Sequence, residues 1–204
     1  MNRRVMIAMA VSIGALGAIP ASASAEERDA LSTQDREVLS WANQLAAETS
    51  QMLERWLQSR AISEEKLFAR LYYPIARTDP PKYTTEYSGL ADRDLPTLQE
   101  AIVRKSGTIV FAVVTDINGY LPTHNQRYSM PLTGNLAFDL VNNRTKRIFG
   151  DRTGIAAARN EAPYLLQRYK RDTGELMADL SVPVKVRGKH WGCVRIGYRQ
   201  VEKY

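Results

Sequence analysis

The sequence predicts an α+β domain, with a long N-terminal helix followed by a five-stranded antiparallel sheet that carries a helical and loop insert. Three observations carry this. Apolar residues recur at steps of three, four and seven from Val38 to Trp56, the period of one helix face. From Thr108 the period changes to β-branched runs parted by Gly-containing turns, which is the mark of strands. A polar, irregular stretch from Asn125 to about Asn160 separates the second run from the third. Helices and strands in separate blocks indicate α+β rather than alternating βαβ units.

The elements follow in order. Arg3 and Arg4, the apolar run Val5 to Ile19, Pro20 and the small-x-small Ala23-Ser24-Ala25 read as a secretory signal peptide cleaved after Ala25. The run is short for a bilayer span, which needs about 20 residues. The mature chain is therefore expected in the periplasm. Its first segment, 26–66, is helical. Ser32 is the N-cap, with Asp35 three residues on, in the spacing of a capping box. Val38, Ala42, Leu45, Met52 and Trp56 form the apolar face, and the helix ends near Ser59. Trp41 and Trp56 are read as packing residues or as a dimer seam. A second short helix follows Ser63, with Glu64 and Glu65 in its first turn, where acids complement the helix dipole.

The remaining segment, 67–204, is the sheet domain. Pro74, Pro80 and Pro81 hold the 72–83 stretch extended, because each disfavours helix at the residue before it. A helix is expected over Leu95 to Val103, capped by Asp94 or Thr97. Thr108 to Thr115 is apolar on both faces and is expected to be a central strand. Asp116-Ile117-Asn118-Gly119 is a hairpin turn that leads into a partner strand, Tyr120 to His124. Short helices are expected at Leu136–Val141 and Ile155–Arg159. Three more strands are expected near Tyr164–Arg171, Leu176–Val186 and His190–Tyr198. Asp172-Thr173-Gly174 and Arg187-Gly188-Lys189 are their turns. Pro183 marks an edge or a bulge.

Composition excludes several classes. At 44% hydrophobic and 25% charged residues, the chain is neither disordered nor a multi-span membrane protein. Its one cysteine, Cys193, rules out an intrachain disulfide, a Cys-only zinc site and a covalent c-type haem. Cys193 lies in an apparent core strand and is expected to be buried and inert. Removing Arg3 and Arg4 with the leader takes the formal charge from +6 to +4. No dense Lys/Arg stripe accompanies that excess, so nucleic acid is not an expected partner. A mild basic excess favours anionic small molecules or an anionic surface.

The segment Val113-Val114-Thr115-Asp116-Ile117-Asn118-Gly119-Tyr120-Leu121-Pro122-Thr123-His124-Asn125 resembles one found in bacterial chemoreceptors. So do Arg147-Ile148-Phe149-Gly150-Asp151-Arg152-Thr153-Gly154 and Asp179-Leu180-Ser181-Val182-Pro183-Val184, with Gly188-Lys189-His190-Trp191-Gly192 after it. These blocks are similar to the periplasmic Cache-type, PAS-like sensory domain of methyl-accepting chemotaxis proteins, over roughly Leu67 to Tyr198. The resemblance implies a small-ligand cup on a five-stranded PAS/Cache sheet. A receptor would continue into a membrane span and a signalling coiled coil, whereas this sequence stops at Tyr204. The expectation is a free-standing sensory module whose partner is a membrane receptor or histidine kinase, with a homodimer through the N-terminal helix as a further partner. The alternatives are a haem- or redox-linked accessory protein and a purely structural partner of a receptor.

Seven residues are the candidate ligand contacts. Arg144, Arg147 and Arg152 lie in the densest polar cluster, and a guanidinium is a planar fork suited to a carboxylate. Gly154, before a short helix, would offer N–H groups to the same anion. His124 is read either as a rim group or as a structural histidine. Tyr83, Tyr120 and Trp191 would wall the cup, since tyrosine offers a ring face and a hydroxyl together. Phe111 is read as plain core, and His190 as a surface or turn histidine. The two histidines lack metal-ligand spacing, so no cofactor is expected, with non-covalent haem through one axial histidine as the exception. No G-x-S-x-G, Walker loop or H-E-x-x-H is present, and no catalysis is expected. Asp116 near His124 would be the one base-and-orienter pair, but Asp116 is also explained as the residue that opens the turn.

Overall fold

A computed structural model describes residues 31–170 and 176–201. The predicted leader and the turn at 172–174 lie outside the described residues. Helix α1 (Thr33–Gln58) is the predicted amphipathic helix. The Ser32 hydroxyl accepts from Asp35 N at 3.0 Å and Asp35 Oδ2 accepts from Ser32 N at 3.1 Å. This reciprocal cap satisfies two N–H groups that the helix cannot. Val38, Ala42, Leu45, Met52 and Trp56 are all buried. Helix α2 (Glu64–Phe68) follows, capped by Ser63. A two-residue ribbon pairs β1 (Tyr73–Pro74) with β2 (Tyr83–Thr84). Helix α3 spans Ser88–Val103 and begins two turns earlier than the sequence indicates. It passes Pro96 without ending, and Ala91, Leu95 and Ile102 bury its inner face. Asp94, expected as its cap, instead accepts the Trp56 indole N–H at 2.6 Å. No helix among the described residues is long and apolar enough to cross a membrane.

The main sheet has four antiparallel strands, β3 (Ile109–Asp116), β6 (Leu165–Lys170), β7 (Leu176–Val186) and β8 (Lys189–Arg199), in the order β3-β8-β7-β6. Arg187 and Gly188, at φ 49° and 73°, make the two-residue turn between β7 and β8, whose twist matches that of the strands. β6 pairs no further along β7 than Ser181. Pro183 therefore sits where no partner needs its missing N–H.

The expected fifth strand, Tyr120–His124, does not join this sheet. Only β4 (Tyr120–Leu121) is extended, and it pairs with β5 (Arg147–Ile148). β3 is consequently an edge strand rather than a central one. Side chains cover that edge. Asn125 Oδ1 accepts Ala112 N at 2.9 Å, and Arg127 donates to Ile109 O at 3.3 Å. The Asp116 turn directs the chain away, since Asp116 Oδ1 accepts both Asn118 N (2.9 Å) and Tyr120 N (3.0 Å). Pro122 then lacks the donor a ladder would use.

Strand alternation gives the sheet two unlike faces. Ala112, Val114, Ala178, Leu180, Val194, Ile196 and Tyr198 belong to the core that α1 and α3 cover. The apolar face of α1 is thus occupied by its own sheet, and Trp56 is core rather than a dimer seam. Val113, Thr115, Asp179, Ser181, Cys193 and Arg195 share the opposite face. Over it lie the insert, with α4 (Leu136–Asn142), and α5 (Arg152–Ala158), whose Ala157 and Ala158 cluster with Cys193. Burial pushes the Cys193 thiol up to about 12, so thiolate reactivity is suppressed.

Between the β1–β2 ribbon, α3 and β3 lies a buried polar knot. Asp116 is fully buried, and its Oδ2 accepts the Tyr72 hydroxyl at 2.6 Å and the Tyr87 hydroxyl at 2.9 Å. Arg70 stands 4.0 Å away. Gly192 pairs with Asp116, and a Cβ there would lie 2.1 Å from Thr115 O, so only glycine lets β8 approach the turn this closely.

Candidate functional site

The polar face of the sheet and the insert enclose a cavity of about 390 Å³. Its floor is Phe111 and Val113 of β3 with Asp179 and Arg195. Its walls include Leu121, His124, Tyr128, Arg144 and Phe149. Phe111, expected to be plain core, is a floor residue because Gly197 faces it across the ladder. A Cβ on Gly197 would lie 2.2 Å from the ring, so only glycine lets the ring pack this closely on β8.

Arg195 and Arg144 line this space, Arg147 and Arg127 stand behind its aromatic walls, and the four differ in what holds them. Arg195 is buried and bonds Asp179 through both nitrogens of its fork, Nε at 3.3 Å and Nη2 more closely. Burial opposes its charge, but the Asp179 carboxylate more than offsets this and holds its pKa above the ordinary value. Arg144 has no carboxylate within ion-pair distance among the described residues. Its guanidinium stands 4.9 Å from the centre of the Phe149 ring, and that of Arg147 stands 5.2 Å from it, both within cation–π reach. Burial, then the neighbouring Arg147 charge, lowers the Arg144 pKa, yet a guanidinium stays charged throughout the physiological range. Arg147 Nη1 donates to Leu140 O at 3.2 Å. Arg127 stacks on Tyr128 at 4.9 Å.

His124 is 5% exposed. Its Nδ1 accepts Asn125 N at 2.8 Å, so in the neutral ring the proton resides on Nε2. Nε2 has no protein partner among the described residues. A protonated Nε2 has no lone pair for haem iron, so His124 as arranged does not fit the axial-ligand alternative. Burial, then the charges of Arg144, Arg127, Arg195 and Arg147, holds its pKa well below the ordinary 6.5. Unfolding therefore takes up a proton between the folded value and 6.5, and the stability this group contributes is complete above 6.5 and lost as pH falls through that window. Stability against urea should fall on acidification from about pH 7 to about pH 5, with a slope approaching 1.4 kcal/mol per pH unit. His124→Gln should flatten it. An unchanged slope would assign the effect to other groups.

The predicted site residues divide. His124 and Arg144 line the cavity, and Arg147 supports it through Phe149. Arg152 does not line it. It begins α5 as an exposed residue, and Asp151 Oδ1 already accepts Gly154 N at 2.9 Å, leaving that N–H unavailable to an anion. Tyr83, Tyr120 and Trp191 do not line it either, and the 72–83 loop forms no wall. Tyr120 is fully buried, bonded to Ser88 and to Tyr83 O, and Trp191 donates to Leu67 O at 3.1 Å. All three belong to the tyrosine-rich region around Asp116, on the helix-covered side. No hydrogen bond links Asp116 to His124. His190 is half-buried, with Nε2 2.8 Å from Ala158 O. The Arg195–Asp179 pair was missed. Its signal was present as two opposite charges, Asp179 among the apolar residues 177–180 and Arg195 between Val194 and Ile196.

No group of three or more potential metal-ligating side chains occurs among the described residues. No family model matches the chain, and no curated protein does. Among solved structures, an extracellular ligand-binding receptor from Desulfohalobium retbaense superposes at 16% sequence identity and a TM-score of 0.35, over 78% of this chain and 24% of the receptor. The chain thus spans about a quarter of that protein, and so loose a superposition carries no argument about fold or ligand.

Proposed function

We propose that this chain is an exported, non-catalytic module that binds a small carboxylate-bearing ligand in the cavity between the sheet and the insert, acting as a free-standing Cache-like sensory domain for a membrane partner. The observation that supports this reading is Arg144, a half-buried cation on the cavity wall with no carboxylate of its own. Burying a charge without a counter-charge is costly, and an anionic ligand removes that cost. The planar fork of Arg144, the Nε2–H of His124 and the ring of Phe111 would together receive a carboxylate on an apolar body. Asp179 neutralises Arg195, so Arg195 belongs to the frame rather than to the ligand.

A thermal-shift screen of residues 26–204 against organic acids, amino acids, amines and purines tests this. A ligand at 100 times its Kd adds about 2.7 kcal/mol, which raises the midpoint by roughly 5–11 °C. Arg144→Ala should weaken that ligand by at least about tenfold, the loss of one charge-assisted hydrogen bond, while the midpoint without ligand stays near that of the wild type. Arg152→Ala should leave affinity unchanged. A flat screen, or equal affinity for Arg144→Ala and wild type, would overturn the reading.

A further inference from the structure

Helix α4 is built the wrong way round for a soluble surface. Its one acid, Asp139, is 1% exposed, whereas Leu136, Phe138, Leu140 and Val141 are 39–57% exposed. At about 100° per residue these four span an arc of roughly 200°, with Asp139 on the other side. Met130 extends the arc at 45% exposure, tied to the helix end by Asn142 O, which accepts Met130 N at 3.1 Å, and by Asn143 Nδ2, which donates to Met130 O at 2.6 Å.

This orientation is enforced. Asp139 accepts Thr133 N at 3.0 Å, Thr133 Oγ1 at 2.8 Å and Gly134 N at 3.0 Å. Asn135 caps the helix by accepting Phe138 N at 3.2 Å. The buried lysine Lys82 holds Asn143 and Thr145 O from beneath. Turning the apolar residues inward would break all of these contacts. Charge lies beside the ridge. Arg147 reaches the Leu140 carbonyl, and Arg127 is exposed on the 3-10 turn Gln126–Tyr128 that packs against α4.

We infer that this ridge docks on an anionic lipid surface, with the side chains of α4 and Met130 entering the headgroup boundary and the flanking arginines meeting lipid phosphates. Five partly exposed side chains offer only a few hundred Å², short of the roughly 800 Å² per partner of a stable protein interface. A lipid interface has no such minimum, because binding grows with the apolar area inserted plus the attraction of basic residues to anionic headgroups. The formal charge of +4 that remains once Arg3 and Arg4 are removed with the leader has the complementary sign. The inference is independent of the ligand proposed above and places the cavity mouth, which Val141 borders, next to the membrane.

Vesicle sedimentation with residues 26–204 tests it, so that the apolar run of the leader does not contribute. Vesicles of phosphatidylcholine containing about a quarter phosphatidylglycerol should bind the protein, and pure phosphatidylcholine or high salt should weaken this. The double variant Phe138→Ser, Leu140→Ser should bind the mixed vesicles at least about tenfold more weakly. These are exposed positions, so its thermal midpoint and any carboxylate-induced shift should match wild type. Equal binding by both proteins, or none by either, overturns the inference. A dimer of the wild type that the variant dissociates would assign the ridge to a second copy and overturn it as well.

Discussion

Asp116→Ala should lower the thermal midpoint by roughly 8–16 °C, corresponding to about 4 kcal/mol at 2–4 °C per kcal/mol. The fully buried carboxylate accepts four hydrogen bonds, from Tyr72, Tyr87, Asn118 N and Tyr120 N. Truncation leaves all four donors without an acceptor, and each buried orphan costs about 1–3 kcal/mol before relaxation or water entry reduces the total. Arg70, partly buried 4.0 Å away, also loses its counter-charge. The knot joins three parts of the chain that are distant in sequence. Tyr72 brings the 72–83 loop, Tyr87 the start of α3, and Asp116 the end of β3. Asp116→Asn should cost about half as much, because Oδ1 still serves the two turn N–H groups while hydroxyls can rotate to accept from the new amide. Burial, with the Asp116 charge second, raises the Tyr72 and Tyr87 hydroxyls above their ordinary 10.0, so both donate to the carboxylate across the physiological range. Thermal unfolding of the two variants measures the difference. A loss under about 1 kcal/mol for Asp116→Ala would mean that water replaces the carboxylate.

Arg195→Met should cost about 3–5 kcal/mol, and Arg195→Met with Asp179→Asn should recover most of it. Removing one member of a buried pair leaves the other charge without compensation, which costs far more than the pair itself contributes. Asp179 is 1% exposed and Arg195 9%, on adjacent strands in the same alternation phase. A double-mutant cycle by urea unfolding gives the coupling directly. The same cycle distinguishes two kinds of arginine in one cavity. Arg195 is answered within the protein, so its loss is a stability event. Arg144 is not, so its loss should appear in ligand affinity and little in stability. If Arg195→Met proved nearly neutral, water would replace the guanidinium at Asp179, and the pair would not hold the floor of the cavity.

The helical part was legible because its signals are local. Ser32 and Asp35 stand at capping-box spacing, and the Val38–Trp56 stripe has a single period. Both survive in the structure because a cap and an amphipathic face need only near neighbours to be recognised. Helix α4 was placed correctly as an element, but its orientation was not readable, since that depends on what Asp139 bonds. The Asn-Gly turn gave the right bend and the wrong partner. The side chain of Asp116 closes the turn and sends Tyr120 to Ile148 and Leu121 to Arg147, a pairing set by residues 28 and 26 positions away. The burial of Cys193 was legible because its strand neighbours are apolar on both sides.

The sequence by itself determined the α+β class, the bounds of α1 and the places of β3, β7 and β8, and the arginines of the insert as the charged group to watch. Those follow from periodicity, turn chemistry and side-chain type, which act over a few residues. Tertiary structure alone decided which sheet face is dry, which arginine is paired, and that Tyr83, Tyr120 and Trp191 stand on the opposite side from His124 and Arg144. In a strand, one position reverses the face a side chain occupies, and an ion pair depends on strand register. Neither quantity exists until β3, β7 and β8 are laid side by side.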